Sequence, residues 1–221
     1  MPKSQIKVAP RAPSRRPGGE ASETAQRILT AALGVFADQG FDGTTTRVVA
    51  ERAGANLGLI KYYFGSKEEL WRAAVDQVFA ELLETLGEQA PLAITGRDDF
   101  ARLVHAMVAF VAKHPNFIRI MNDEGKRDGP RADWLVENHG RRMFEISSEY
   151  LEQARALGLV PDVDVVHLYY MFLGSIVMLF SQAPEAKRLT GTDPTASPAI
   201  IAAHADALLA LFLGEGRVVQ K

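Results

Sequence analysis

The sequence contains no cysteine among its 221 residues. This absence excludes disulfide bonds, a thiol nucleophile and any zinc site with cysteine ligands. The five histidines show no H-E-x-x-H spacing, and there is no G-x-S-x-G elbow, P-loop or dinucleotide-binding fingerprint. We therefore expect no metal, no cofactor and no catalytic site.

The chain also has little that resembles an export or membrane signal. The first twenty residues contain several prolines and no apolar stretch, which argues against a secretory signal. The apolar run VVHLYYMFLGSIVMLF, residues 165–180, contains His167 and Ser175 and is shorter than a bilayer span. We expect a cytoplasmic protein with no membrane contact, in which this run is a helix buried on all sides.

Net charge is small, at −2, but it is unevenly distributed. Residues 1–67 carry ten Lys and Arg against five Asp and Glu, which gives +5. Residues 68–221 carry the other fifteen against twenty-two, which gives −7. A basic N-terminal part and an acidic remainder indicate that only the N-terminal part meets a polyanion.

The spacing of apolar residues predicts an all-α chain without strands. Residues 1–21 are rich in proline, glycine and positive charge, and they are predicted to be a disordered tail. The alternative is that Arg11, Arg15 and Arg16 form an arm that reaches DNA. Caps, glycine stops and prolines predict helices at about 22–40, 46–53, 57–64, 66–82, 98–113, 115–127, 130–157, 164–183 and 196–213.

Two of these predicted helices, 46–53 and 57–64, are very short and almost adjacent. Steeply crossed helices need a small residue at their contact and a residue that tolerates a left-handed backbone at their corner. Ala50 and Gly54 occupy those places, and Ile60 is the apolar residue beneath the second helix. This spacing predicts a helix-turn-helix.

The stretch from Glu23 to Trp71 resembles the DNA-binding domain of the tetracycline repressor family of transcriptional regulators. The resemblance includes the G-F-D-G-T-T turn, the A-G corner and the Y-Y-F-G-S-K-E-E-L exit. It implies a three-helix DNA-binding domain at 22–82, followed by a larger helical effector-binding and dimerisation domain at 83–221. The implied function is a homodimeric repressor that leaves a double-stranded DNA operator when a small, largely apolar effector binds. An all-α enzyme and a DNA-binding protein without an effector are the alternatives.

The resemblance also implies which side chains meet DNA. Phosphate contacts are expected from Thr46 and Lys67, each at a helix N-terminus where backbone N–H groups favour an anion. Residues implied to lie along the groove are Arg47, Leu57, Gly58, Leu59, Lys61, Tyr62 and Tyr63. A leucine cannot hydrogen-bond a base edge, so base reading is expected from Lys61, Arg47 and apolar contacts with thymine methyl groups.

Two further sites are expected in the larger half. Helices 164–183 and 196–213 are predicted to form a four-helix interface between subunits. Its candidate residues are Leu168, Phe172, Leu179, Leu208 and Phe212. Aromatic and methionine side chains line adaptable apolar pockets, although ordinary core is the better explanation for any one of them alone. The candidate effector-pocket residues are Phe79, Phe110, Met121, Asn122, Trp134 and Phe144.

Overall fold

A computed structural model describes residues 19–213, and within that range the chain is helical and has no strand. The all-α prediction is confirmed. The helices are α1 Gly19–Gly43, α2 Thr46–Ala53, α3 Leu57–Phe64, α4 Lys67–Gln89, α5 Arg97–Lys113, α6 Pro115–Glu124, α7 Pro130–Leu135, α8 Arg141–Ala156, α9 Val165–Ser181, α10 Ala183–Thr190 and α11 Pro198–Leu213. The predicted arm with Arg11, Arg15 and Arg16 lies outside the described residues.

Two elements differ from the sequence prediction. The helix expected at 130–157 consists of α7, one π-helical turn at Val136–Gly140 and α8, with helical backbone angles at both joints. Helix α10 was not predicted. The helix expected at 164–183 ends at Ser181, and the chain then turns by 66° into a second, short helix. Pro184 in the first turn of α10 suits this new start, since proline has no N–H to lose there.

The first three helices enclose a small apolar centre. Val49, Ala50 and Ile60 project from α2 and α3 towards the buried stripe of α1, and all three are almost fully buried. Each short helix starts with a side chain that satisfies a free backbone N–H: Thr45 accepts from Val48, and Asn56 accepts from Gly58. Local capping and one shared centre therefore fix these helices without long loops.

Helix α4 belongs to both halves of the chain. Near its start, the Trp71 ring meets Phe41 of α1 edge-on at 6.4 Å and Trp134 of α7 at 5.5 Å between ring centroids. Two turns later, Phe79 meets Phe117 of α6 at 5.0 Å. Because one continuous helix carries both sets of contacts, the N-terminal helices and the larger helical part share a core.

The larger part packs α5 against α4, α9 and α11, and it packs α8 against α9. Phe172 of α9 lies at its centre, edge-on to Phe100 at 5.5 Å and stacked on Phe212 at 3.9 Å. No single helix within 19–213 is long and apolar enough to span a bilayer, and only the bent pair α9 and α10 passes such a test of length and composition together.

This packing places the predicted dimer-interface residues inside the single chain. Leu168, Phe172, Leu208 and Phe212 are between 0% and 7% exposed in the single chain, so they have almost no surface to offer a partner. Leu179 is half-buried against the same core. The exposed apolar side chains of α9 and α11 are Val166, Tyr170, Met171, Leu173, Met178 and Leu211. The sequence did not distinguish the two faces, because α9 is apolar on both.

Replacing Phe172 by alanine tests this placement. Removing a buried ring leaves a cavity, so we expect the free energy of unfolding to fall by about 3–5 kcal/mol. Tyr170→Ala is the matched control, since that ring is 65% exposed on the same helix. Chemical denaturation at a protein concentration where chains are monomeric measures both variants. Equal losses would mean that the inner face of α9 is misassigned.

Candidate nucleic-acid interface

The corner between α2 and α3 has the geometry that the sequence predicted. Gly54 is in the left-handed region, with φ 58° and ψ 36°. The next N–H, from Ala55, donates to the carbonyl of Ala50 at 2.9 Å and closes the end of α2. A side chain at this φ costs about 1–2 kcal/mol, so glycine suits the corner. With Ile60 only 2% exposed beneath α3, the predicted helix-turn-helix is present.

Helix α3 buries Ile60 and presents three residues, Leu57, Lys61 and Tyr62, on its outer face. Leu57 and Tyr62 are 43% and 69% exposed. Lys61 lies between them in sequence and is exposed, as is Arg47 on α2. We find no ion pair for either cation among residues 19–213, so both ends are available to an outside acceptor.

The other predicted groove residues occupy the margin of this face. Gly58 is exposed, and Leu59 and Tyr63 are half-buried against the core. The Tyr62 and Tyr63 rings meet edge-on at 5.1 Å. Tyr62 therefore extends outward from a partly fixed aromatic neighbour, which suits a contact with a base or with the sugar-phosphate backbone.

The N-termini of α2 and α4 carry the residues predicted to meet phosphate. Thr46 is the first residue of α2 and is half-buried, while Thr45 supplies the capping oxygen. Lys67 is the first residue of α4, and the Ser66 hydroxyl caps that helix by accepting from the N–H of Glu69 at 3.1 Å. Free N–H groups and the helix dipole favour an anion at both places.

The Lys67 ammonium has two backbone carbonyl partners that the sequence did not reveal. It donates to the carbonyl of Phe41 at 2.9 Å and to the carbonyl of Thr44 at 3.0 Å. It also lies 4.3 Å from the centroid of the Phe41 ring. These contacts tie the start of α4 to the turn before α2. A phosphate contact from Lys67 stays a prediction, and one N–H of the ammonium is left to make it.

Two of the predicted pocket residues pack around the His139 ring. Phe79 stacks on His139 at 4.0 Å, and Trp134 meets the same ring edge-on at 5.3 Å. An open groove of about 590 Å³ lies elsewhere, lined by Gln89, Arg102, His105, Ala106, Ala109, Pro198, Ile201 and Ala202. None of the six candidate residues lines it. Among the described residues we find no cluster of three or more side chains that suits a metal ion.

Known proteins match both halves of the chain. The family model described as "Bacterial regulatory proteins, tetR family" matches residues 28–74, which contain the helix-turn-helix. The model described as "Tetracyclin repressor-like, C-terminal domain" matches residues 97–209, about half of the chain. The protein belongs to the tetR family. Its helix-turn-helix and its larger helical part are therefore the DNA-binding and C-terminal domains of a transcriptional regulator.

Individual relatives agree with this assignment. The chain is 31% identical to the transcriptional regulator RutR of Escherichia coli over 179 residues, which are 74% of this chain and 77% of RutR. It is 28% identical to the transcriptional repressor NicS of Pseudomonas putida over 69% of this chain and 73% of NicS. The structure of FadR from Bacillus subtilis in complex with stearoyl-CoA superposes with a TM-score of 0.65 at 18% identity and covers 86% of this chain and 97% of FadR. The last similarity concerns the fold alone.

In this tetR-family regulator, Lys61 and Lys67 are expected to respond differently to substitution. Lys61→Ala leaves the fold intact and costs about 1–3 kcal/mol per half-site on the operator, with little effect on scrambled DNA. Lys67→Met removes two charge-assisted hydrogen bonds and lowers the free energy of unfolding by about 1.5–3 kcal/mol. If Lys67 also meets phosphate, the slope of log affinity against log salt becomes shallower by about 0.9 per contact.

Chemical denaturation and DNA titrations at several salt concentrations check both variants. Lys126→Met is the control, since that side chain is 74% exposed in a surface ion pair with Asp123. Equal losses of Lys61→Ala on operator and scrambled DNA would make Lys61 a phosphate contact. Unchanged stability of Lys67→Met would show that its two carbonyl contacts contribute nothing.

Proposed function

We propose that this regulator is a cytoplasmic homodimeric repressor that binds a two-fold operator and is released by a small, largely apolar effector. The observation that carries the DNA-binding role is the outer face of α3, where Leu57, Lys61 and Tyr62 are exposed while Ile60 on the opposite side is buried. A short helix with a cation between two exposed large apolar side chains is suited to contact something outside its own domain.

Each group on this face has a distinct part in the proposal. Lys61 and Arg47 donate hydrogen bonds to base edges in the major groove, where guanine offers two acceptors to a cation. Leu57 contacts thymine methyl groups, and Thr46 and Lys67 hold phosphates beside the groove. The charge of +5 on residues 1–67 draws this end of the molecule to DNA, while the −7 on the remainder keeps the other end away.

Dimerisation is proposed through the exposed apolar face of α9 and α11. Tyr170 and Met178 are 65% and 63% exposed, and Leu211 on the neighbouring helix is 72% exposed. The two helices contact each other, and large apolar side chains exposed together mark interaction surfaces. A two-fold interface places the same face of each chain against its copy, which forms a four-helix contact. Two copies of α3 are needed to read two half-sites about 34 Å apart.

The effector is proposed to bind among the aromatic rings beside α4. FadR, which has the same fold, was crystallised with stearoyl-CoA, a ligand with a long apolar chain. In this chain Phe79 of α4 stacks on His139, and Trp134 meets the same ring edge-on. Phe144 and Tyr169 form another aromatic pair, between α8 and α9, at 5.0 Å. A ligand that separates the rings beside α4 has to displace this helix, whose first turns belong to the DNA-binding domain. The ligand changes DNA affinity only if it binds the two arrangements unequally.

Selection of duplexes from random DNA with the purified full chain tests the proposed function. We expect enrichment of an inverted repeat, with affinity that falls steeply as salt increases because phosphates are neutralised by lysine and arginine. Affinity for scrambled DNA should be weaker by a factor of about 10³ or more. Binding without any sequence preference would contradict a role as a repressor.

Met178→Arg tests the proposed dimer face. A new charge on this face would lose its water at a two-fold contact and lie near its own copy, so we expect the dimer to dissociate at micromolar concentration. The chain itself should stay folded, because the side chain is exposed within the monomer. Leu92→Arg is the control, since Leu92 is fully exposed in the loop before α5. Light scattering measures the mass, and a wild type that is already monomeric would contradict the proposal.

A further inference from the structure

The DNA-binding helices touch the larger domain at a second place besides α4. The C-terminal end of α1 packs against α6. Three residues near that end, Asp38, Phe41 and Asp42, each contact an arginine from the segment that runs through α6 into α7. We call the three arginines, Arg119, Arg127 and Arg131, the arginine corner.

Asp38 contacts both domains at once. One carboxylate oxygen accepts from Arg52 of α2 at 2.8 Å, and the other accepts from Arg119 of α6 at 3.1 Å. The pKa of Asp38 lies below its ordinary value, first because of the hydrogen bond from Arg52; burial opposes this effect, and the hydrogen bond from Arg119 lowers the pKa further. The carboxylate is therefore charged at neutral pH. Arg52 belongs to the helix-turn-helix, so this one side chain joins that motif to a regulatory helix.

The other two arginines reach the residues that follow. The Arg131 guanidinium lies 3.9 Å from the centroid of the Phe41 ring, and its Nε donates to the buried carboxylate of Glu124 at 3.2 Å. Arg127 lies 3.8 Å from Asp42. Phe41 is the residue whose carbonyl holds Lys67 at the start of α4. All three arginines therefore contact the C-terminal end of α1, the segment that also positions α2 and α4.

The strength of these contacts suits a joint that opens and closes. Asp38, Arg119 and Arg127 are each between about a third and three-fifths exposed, and ion pairs so open to water are individually weak. Allosteric coupling typically changes affinity by a factor of about 5–150, which a few weak contacts acting together provide. A fully buried pair would instead be costly to break, because an unpaired charge would be left in the protein interior.

From this geometry we infer that the arginine corner couples the regulatory helices to the helix-turn-helix, with Asp38 as the residue that positions both. The inference rests on the proposed operator binding and adds a route besides α4. Contacts at the corner hold the helix-turn-helix in one orientation. Operator binding requires both copies of α3 at a fixed spacing. An orientation that is already set before binding therefore lowers the entropy cost of ordering the helix-turn-helix on the operator. Scrambled DNA makes phosphate contacts without this requirement.

The test is the double variant Arg119→Gln and Arg127→Gln in the full chain. We expect its affinity for the selected operator to fall at least 5-fold at constant salt, with affinity for a scrambled duplex of equal length falling no more than in the control. Arg131 is left intact, because its loss would leave the buried Glu124 unpaired. The control is Arg102→Gln with Arg155→Gln, which removes the same charge from arginines paired within or beside their own helices. Should the double variant fail to fold, Arg119→Gln alone carries the same comparison.

Three results would overturn the inference. Operator affinity that matches the control, or rises, would show that the corner does not hold the binding orientation. Equal losses on operator and scrambled DNA would show that these arginines contact phosphate directly. A wild type without preference for any duplex would instead refute the proposed function, so the two failures are distinguishable.

Discussion

Burial of the apolar side of α4 is the constraint on which the rest of the structure depends. Leu70, Trp71 and Val75 near its start complete the small core under the helix-turn-helix, and Val78 and Phe79 continue the same side into the larger domain. Each fully buried side chain of this size contributes about 1.5–3 kcal/mol, so both cores depend on the apolar side of α4. Helices α2 and α3, with eight residues each, are too short to be stable alone, and they depend on packing for their placement.

The shared helix gives the proposed effector signal a route across the chain without a flexible linker. Rings from α6, α7 and the π-helical turn lie on α4, so any change among them acts on the helix whose first residue, Lys67, holds the turn before α2. The arginine corner adds a second contact, through α1. Two attachments to one small domain define its orientation, whereas a single helix would leave it free to swing.

Prediction from the sequence succeeded where the constraints are local. The cap residues Asn56 and Ser66 and the corner Gly54 fix α2, α3 and α4 within a few residues of themselves, and their placement was predicted correctly. It did not show that Phe172 lies on the inner side of α9, because a helix that is apolar all round does not show which side faces the core. The carbonyl partners of Lys67 lie 23 and 26 residues away, and no side-chain pattern encodes a backbone acceptor. The contact of Asp38 with Arg119 was missed because the two residues are 81 positions apart in sequence.

Chemical footprinting of the selected operator, at its phosphates and at guanine N7, tests the central claim most directly. Two chains that each insert one α3 should protect two major-groove segments on the same side of the duplex, with centres about 34 Å apart. With the Lys61→Ala variant, guanine N7 in each segment should lose its protection, while the phosphates should keep theirs. A single protected segment, or protection confined to the minor groove, would contradict the account.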